Sequence, residues 1–140
     1  MPEDRVTFSY ILKDNEAATA LAIQRGDYLQ AFLLVHALVE SLLRAFLHSE
    51  RKAGSFDDLI TEYAAYLKKE HYPLPTFVDD LKNFNRRRNR IIHNLWQRGY
   101  TFANRQTEPA TGAAVIMYGL LIEWLETFDP EIRQRGFNYQ

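Results

Sequence analysis

Residues 76–98, TFVDDLKNFNRRRNRIIHNLWQR, combine a helical pattern of apolar side chains with a cluster of arginines and a histidine. The apolar side chains follow alternating steps of four and three residues, so they share the core-facing side of an amphipathic helix. They are Phe77, Leu81, Phe84, Ile91 and Leu95. The gap in this row is Arg88. The stretch therefore predicts a core helix with one cation at a core-facing position.

Upstream of this helix, the pattern predicts two more. A short helical segment covers residues 16–25 and stops at Gly26, and Asp27 then caps a long helix that runs to about residue 49. Residues 6–12 alternate between apolar and polar side chains, so they form either a short strand or the opening of the first helix.

Capping boxes, in which an acid follows a Ser or Thr by three residues, mark two further helix starts. These are Ser55 with Asp58 and Thr76 with Asp79. The first helix runs to about residue 70, and the second runs to about residue 98 and is closed by Gly99. A polar loop over residues 103–108 leads to a last helix at 109–128, which must end before Pro130.

These elements predict an all-α, up-and-down bundle of four to five helices. The chain has 140 residues, 46% hydrophobic and 25% charged, which suits one globular domain over residues 1–140. The sequence leaves open whether residues 131–140 dock on the bundle or form a flexible tail.

Several site classes are excluded or not expected. The chain has no cysteine, which excludes disulfides, thiol nucleophiles and Cys-ligated zinc. The acidic pairs fall at helix starts, where capping explains them, so we expect no metal and no cofactor. The N-terminus shows no signal pattern, and the apolar stretch 113–122 is too short to span a bilayer. We expect a cytoplasmic protein without a membrane segment.

The long helix after Asp27 also carries polar residues in its apolar row, at His36 and Glu40. An ionised group that faces a core is costly unless it is paired and hydrogen-bonded. We therefore expect Glu40 to form an ion pair with Arg88 across two facing helices. His36, with its apolar neighbours, is more typical of a satisfied core histidine than of a site residue.

Residues 88–93 carry groups suited to phosphodiester chemistry. Arg88 can hold a phosphate through two hydrogen bonds, and His93 can exchange a proton near neutral pH. Asn89 lies four residues before His93 and shares its side of the helix. Arg88 and His93, five apart, point about 140° away from each other on a regular helix. This places the site at the rim of the bundle.

Two segments resemble the HEPN superfamily, small helical proteins that include many prokaryotic toxin and defence ribonucleases. One is Arg88-Asn89-x-x-x-His93, which is similar to the family's Arg-x(4–6)-His motif. The other is Gly26-Asp27-Tyr28-x-x-Ala31 leading into Leu34-x-His36-x-x-x-Glu40-x-Leu42-Leu43-Arg44-Ala45. The resemblance spans roughly residues 15–128. Some toxin members carry a Tyr two residues after the His, where this chain has Leu95, so that subgroup's antitoxin mechanism is not implied.

The resemblance implies a metal-independent endoribonuclease. His93 would act as general acid and base, Arg88 would bind the scissile phosphate, and Asn89 would orient the imidazole or the phosphate. Members usually work as homodimers whose motifs face a shared cleft, and a cognate antitoxin is a possible partner. Arg86, Arg87 and Arg90 would attract the RNA backbone.

Each residue also has a simpler interpretation. His93 can interact with the helix dipole, and Arg88 can be purely structural. Arg86, Arg87 and Arg90 can form a solvated face, and Glu40 fits a structural or supporting role better than a catalytic one.

The protein as a whole has two alternatives to an enzyme. One is a non-catalytic HEPN-like module that binds a partner protein, a nucleotide or RNA. The other is an accessory subunit that folds against a partner helix.

Overall fold

The computed structural model describes residues 2–48 and 54–137, with side chains from residue 8 onward. These residues form the all-α bundle that the sequence predicts, with five α-helices and one short 3-10 helix. The helices are α1 (Pro2–Gln24), α2 (Tyr28–Phe46), α3 (Phe56–Lys69), α4 (Val78–Arg98) and α5 (Tyr100–Glu126), followed by the 3-10 helix Pro130–Arg135.

Helix α2 is the centre of the bundle and packs along both α1 and α5. Eleven of its residues are buried, including Phe32, Leu38 and Leu42. Among the described residues, α2 is also the one segment long and apolar enough to cross a membrane, but 61% of its most apolar window is buried inside the bundle. A core helix shows the same composition, because it is apolar on most of its circumference.

Helix α1 is longer than the predicted 16–25 segment, because residues 6–12 open this helix and do not form a strand. Phe8 and Leu12 are one helical turn apart, and Leu12 is fully buried. A strand would place Tyr10 on the same face as these two residues, whereas the helix turns Tyr10 outward, where it is 67% exposed. The helix ends before Gly26, whose positive φ of 76° permits the predicted stop.

The start of α3 is the predicted capping box. The Asp58 backbone N–H donates to Ser55 Oγ, and the Ser55 N–H donates to Asp58 Oδ2, both at 3.1 Å. The predicted box at Thr76 and Asp79 is wrong, since Phe77 stands at the N-cap with a φ of 69° and no side-chain cap. The Thr76 carbonyl instead accepts a hydrogen bond of 2.6 Å from the Tyr63 hydroxyl, which ties this turn to α3.

Helix α4 ends as predicted at Gly99, but α5 begins at once, at Tyr100. The predicted polar loop at 103–108 is therefore wrong, and Pro109 lies inside α5. The polar side chains of this first part of α5 bond to the α1–α2 turn. Asn104 accepts from the Leu29 N–H at 2.9 Å and donates to the Gly26 carbonyl at 2.8 Å. These contacts anchor the first part of α5 to the neighbouring turn, and the helix continues past Pro109, which lacks a backbone donor.

The chain after α5 folds back onto the bundle as far as it is described. Ile132 and Phe137 are fully buried, and the Arg135 guanidinium donates to the Ala45 carbonyl at 2.7 Å. Residues 131–137 therefore dock on the helices, and residues 138–140 lie outside the described part of the chain.

Candidate functional site on helix α4

Helix α4 is continuous from Val78 to Arg98 and carries a group of exposed basic side chains, which we call the basic cluster. It consists of Arg86, Arg87, Arg88 and Arg90. The Arg86 guanidinium donates to Asn83 Oδ1 at 3.0 Å, and that of Arg88 donates to Asn89 Oδ1 at 3.3 Å. No carboxylate of the described residues forms an ion pair with the cluster. Four positive charges therefore face solvent without neutralisation by a described side chain.

Arg88 occupies the angular position that the sequence indicates, four residues after Phe84 and three before Ile91, both of which are buried. The expectation that it faces the core is nevertheless wrong, because its side chain is exposed. Ile92, one turn further on, is exposed as well. Leu95, seven residues after Arg88 on the same side, packs against the core again, so Arg88 reaches water from within a row whose other members are buried or half-buried.

Glu40 does not form the predicted ion pair with Arg88. Its carboxylate pairs with Arg44 one turn along α2, at 3.0 Å, and the described residues include no ion pair between Glu40 and Arg88. The predicted pair is therefore wrong. Both charges affect the pKa of His36. Arg88 lowers this pKa and Glu40 raises it, but burial has the larger effect. Glu40 thus lies near the site without contacting Arg88.

His93 lies on the solvent side of α4, where its ring contacts Trp96 edge-on at 5.2 Å. Trp96 is 70% exposed, which is unusual for so large an aromatic side chain. Asn89, His93 and Trp96 follow a step of four and a step of three, so they share one side of the helix. Because α4 is regular here, Arg88 points about 140° away from His93. One chain therefore presents the cation and the imidazole in different directions.

Behind the basic cluster lies a polar chain, buried at His36 and Asn85, that the sequence did not predict. His36 Nε2 is 3.2 Å from Asn85 Oδ1, and Asn85 Nδ2 donates to Asp57 Oδ1 at 3.1 Å. The His36 ring also packs between Phe56 and Phe84, with ring centroids at 4.4 and 5.0 Å. His36 is a satisfied core histidine, as predicted. The signal for Asn85 was its position one residue after Phe84, on the edge of the apolar row.

Because of this buried histidine, the stability of the folded protein should depend on pH. Burial lowers the pKa of His36 from the ordinary value of 6.5, mainly by desolvation. Above that value both folded and unfolded states hold it neutral. As the pH falls through 6.5 towards the lower folded pKa, the unfolded chain takes up the proton first, and the free energy of unfolding decreases. We expect urea denaturation midpoints to fall between about pH 7.5 and pH 5.

A matched pair of variants isolates this effect. In His36→Gln the decrease should become shallower, whereas in His71→Asn, which changes an exposed histidine, it should stay as in the wild type. An equal pH dependence in His36→Gln and the wild type would contradict the assignment.

A cavity of about 210 Å³ opens between α2, α4 and α5, on the opposite flank of α4 from His93. Phe32 and Phe84 form its floor, Ala113 and Met117 line it from α5, and Arg87 stands at its rim. The cavity is thus separate from the Asn89–His93–Trp96 row. No family model, curated protein or solved structure matches this chain.

Proposed function

We propose that this protein is a metal-independent endoribonuclease of the toxin or defence type, with its site on α4. The observation that carries the proposal is an exposed Arg88, Asn89 and His93 on one helix, inside a basic cluster that no described carboxylate neutralises. A polyanion is the partner that such a surface attracts. The resemblance of the same residues to the HEPN motif adds the expectation of cleavage.

The chemistry assigned to these residues balances without a cofactor. His93 removes the proton of a ribose 2′-hydroxyl, whose oxygen then attacks the adjacent phosphorus. The bond from phosphorus to the 5′-oxygen breaks, and that oxygen takes a proton from the imidazolium. The products are a 2′,3′-cyclic phosphate and a 5′-hydroxyl. Arg88 binds the phosphate oxygens and stabilises the added charge, and Asn89 orients the phosphate or the imidazole.

Trp96 extends this proposal to the bases of the RNA. Its exposed indole lies beside His93, and an aromatic face can stack any base of a single strand. Stacking next to the imidazole would hold a nucleotide against the site. We therefore propose single-stranded RNA as the substrate class.

A second copy of the chain fits the geometry. Arg88 and His93 of one chain diverge by about 140°, so they do not converge on one phosphate. A homodimer, which the resemblance also implies, would present these groups from two α4 helices. The same resemblance suggests a prokaryotic protein with an antitoxin partner, and the absence of cysteine fits the cytoplasm.

The alternative function is a non-catalytic module that binds RNA. The divergence of Arg88 and His93 favours it, because the basic cluster can hold phosphates without any contribution from the imidazole. Incubation of the purified protein with single-stranded RNA in EDTA separates the two functions. Cleavage supports the nuclease, and binding without cleavage under any condition supports the module.

Both functions predict salt-dependent binding. For single-stranded RNA, the slope of log K against log salt changes by about 0.7 for each phosphate contact. We expect Arg87→Ala and Arg90→Ala each to weaken binding and to reduce the slope by about that amount. Lys69→Ala, which removes an exposed cation at the end of α3, is the control and should leave the slope unchanged. Slopes that are equal in all the variants would remove the basic cluster from the interface.

A further inference from the structure

Helix α5 exposes an apolar side that no described residue covers. On a helical turn of about 100° per residue, its members fall within a sector of about 120°, opposite the buried Tyr118 and Leu125. We call this the outer face of α5, and it consists of Pro109, Gly112, Ala113, Ile116, Gly119 and Leu120. Ile116 is 65% exposed and Leu120 is 49% exposed. A contiguous apolar surface of a few hundred Å² is often a protein interaction site.

The two glycines of the outer face have no explanation within one chain. A Cβ atom added at Gly112 or at Gly119 would meet nothing within 4 Å. Inside a helix, glycine costs about 1 kcal/mol relative to alanine. Its effect at these positions is to flatten the surface beside Ile116 and Leu120, which lets another backbone approach closely.

Opposite charges flank the outer face. Arg105 and Glu123 are both exposed, and eighteen residues separate them, which is five full turns, or about 27 Å along the same side of α5. Neither forms an ion pair with a described residue. An antiparallel copy of α5, with the twofold axis level with Ala114, would place each Arg105 opposite Glu123 of the partner subunit. A parallel copy would place like charges together.

The same register fits the apolar side chains. With the axis level with Ala114, Gly112 lies opposite Ile116 of the partner subunit, so the flat position of one copy receives the large side chain of the other. Gly119 correspondingly meets Pro109 of the partner subunit. We propose that the outer face of α5 pairs antiparallel with the same face of a second copy, and that this surface makes the protein a homodimer.

The strip alone is too small for a stable dimer, so the pairing also requires surface from α4. A strip about 27 Å long and about 10 Å wide covers roughly 300 Å², whereas a stable interface buries about 800 Å² of each partner. The cavity between α4 and α5 adjoins the strip, because Ala113 belongs to both. Its apolar lining offers room for side chains of the second copy, with Arg87 at the edge.

The antiparallel pairing of α5 also determines where the two α4 helices lie. A twofold axis that crosses the two antiparallel α5 helices within their interface keeps both α4 helices on the same side of the pair. The flank of α4 nearest the pairing carries Arg87, whereas the Asn89–His93–Trp96 row lies on the opposite flank. The pairing itself rests on residues of α5 and holds independently of the proposed nuclease activity.

The mass of the protein in solution tests the pairing. By light scattering and sedimentation equilibrium, the wild type should have twice the 16.4 kDa of one chain. Ile116→Asp should raise the dimer Kd roughly 100-fold, since each dimer would bury two unpaired carboxylates. Leu74→Asp, at an exposed leucine between α3 and α4, is the matched control and should stay dimeric. Circular dichroism checks that each variant remains helical.

Charge reversal tests the antiparallel register. Arg105→Glu and Glu123→Arg should each weaken the dimer about fivefold to tenfold, and the double reversal should restore it. A monomeric wild type, or a dimer that Ile116→Asp leaves intact, would overturn the pairing. A double reversal as weak as its single variants would overturn the register. None of these measurements depends on RNA cleavage, so they test the dimer proposal separately from the nuclease proposal.

Discussion

We expect His93→Ala to slow cleavage of single-stranded RNA in EDTA by about 10²- to 10⁴-fold, the usual contribution of a positioned general acid and base. The imidazole is exposed on α4, and its described contact is with the edge of Trp96. Its removal should leave the fold intact. RNA binding should change little, because the basic cluster carries the attraction to phosphate.

Arg88 should behave differently from His93. Arg88→Ala should reduce both cleavage and binding, whereas Arg88→Lys should recover binding more than cleavage, because lysine keeps the charge and loses the two-pronged hydrogen bonding. His71→Asn is the matched histidine control. Its φ of 58° tolerates asparagine, so the variant changes an exposed imidazole without straining the backbone.

These variants are judged against cleavage by the wild type in the same preparation. Cleavage that persists at the wild-type rate in both His93→Ala and Arg88→Ala would remove these residues from the mechanism. A loss in His71→Asn as large as that in His93→Ala would show that the effect is not specific to α4.

Phe32→Ala should cost about 3–5 kcal/mol of the free energy of unfolding. Phe32 is 1% exposed, and its ring lies 5.1 Å from that of Phe84 on α4. It also forms part of the floor of the cavity, so truncation enlarges a space that already exists and the surrounding helices cannot easily fill it. Domains of this size have a total stability of about 5–15 kcal/mol, so the variant should be close to unfolding.

Urea denaturation measures this cost. Gln30→Ala, an exposed position on the same helix, should change the stability by less than about 0.5 kcal/mol. Phe32→Leu should fall between the two, because it retains most of the apolar contact. A loss below about 1 kcal/mol in Phe32→Ala would contradict the packing of α4 on α2 through this ring.

Local signals predicted those helix boundaries that depend on neighbouring residues. The capping box at Ser55 and the end of α4 at Gly99 need only residues within one turn, and both are confirmed. The first part of α5 was missed, because Asn104 bonds to Gly26 and Leu29 some 75 residues away. A polar stretch before a proline looks like a loop until such distant partners are known.

The candidate site was likewise predicted only in part. Helical periodicity placed Arg88 correctly in the apolar row of α4, but periodicity does not tell which parts of a row another helix covers. Arg88 is exposed although Ile91 in the same row is buried, so an exposed cation stands where a buried ion pair was predicted. Asn85 took the buried polar position beside His36, and its place at the edge of the apolar row was the only local signal for it.

Analysis of the RNA ends tests the central claim most directly. Single-stranded RNA is incubated with the purified wild type in EDTA, and the new termini are identified by mass spectrometry. The assigned roles of His93 and Arg88 predict 2′,3′-cyclic phosphates and 5′-hydroxyls, absent from the His93→Ala reaction. RNA left intact by the wild type, or products with 3′-hydroxyl and 5′-phosphate ends, would contradict it.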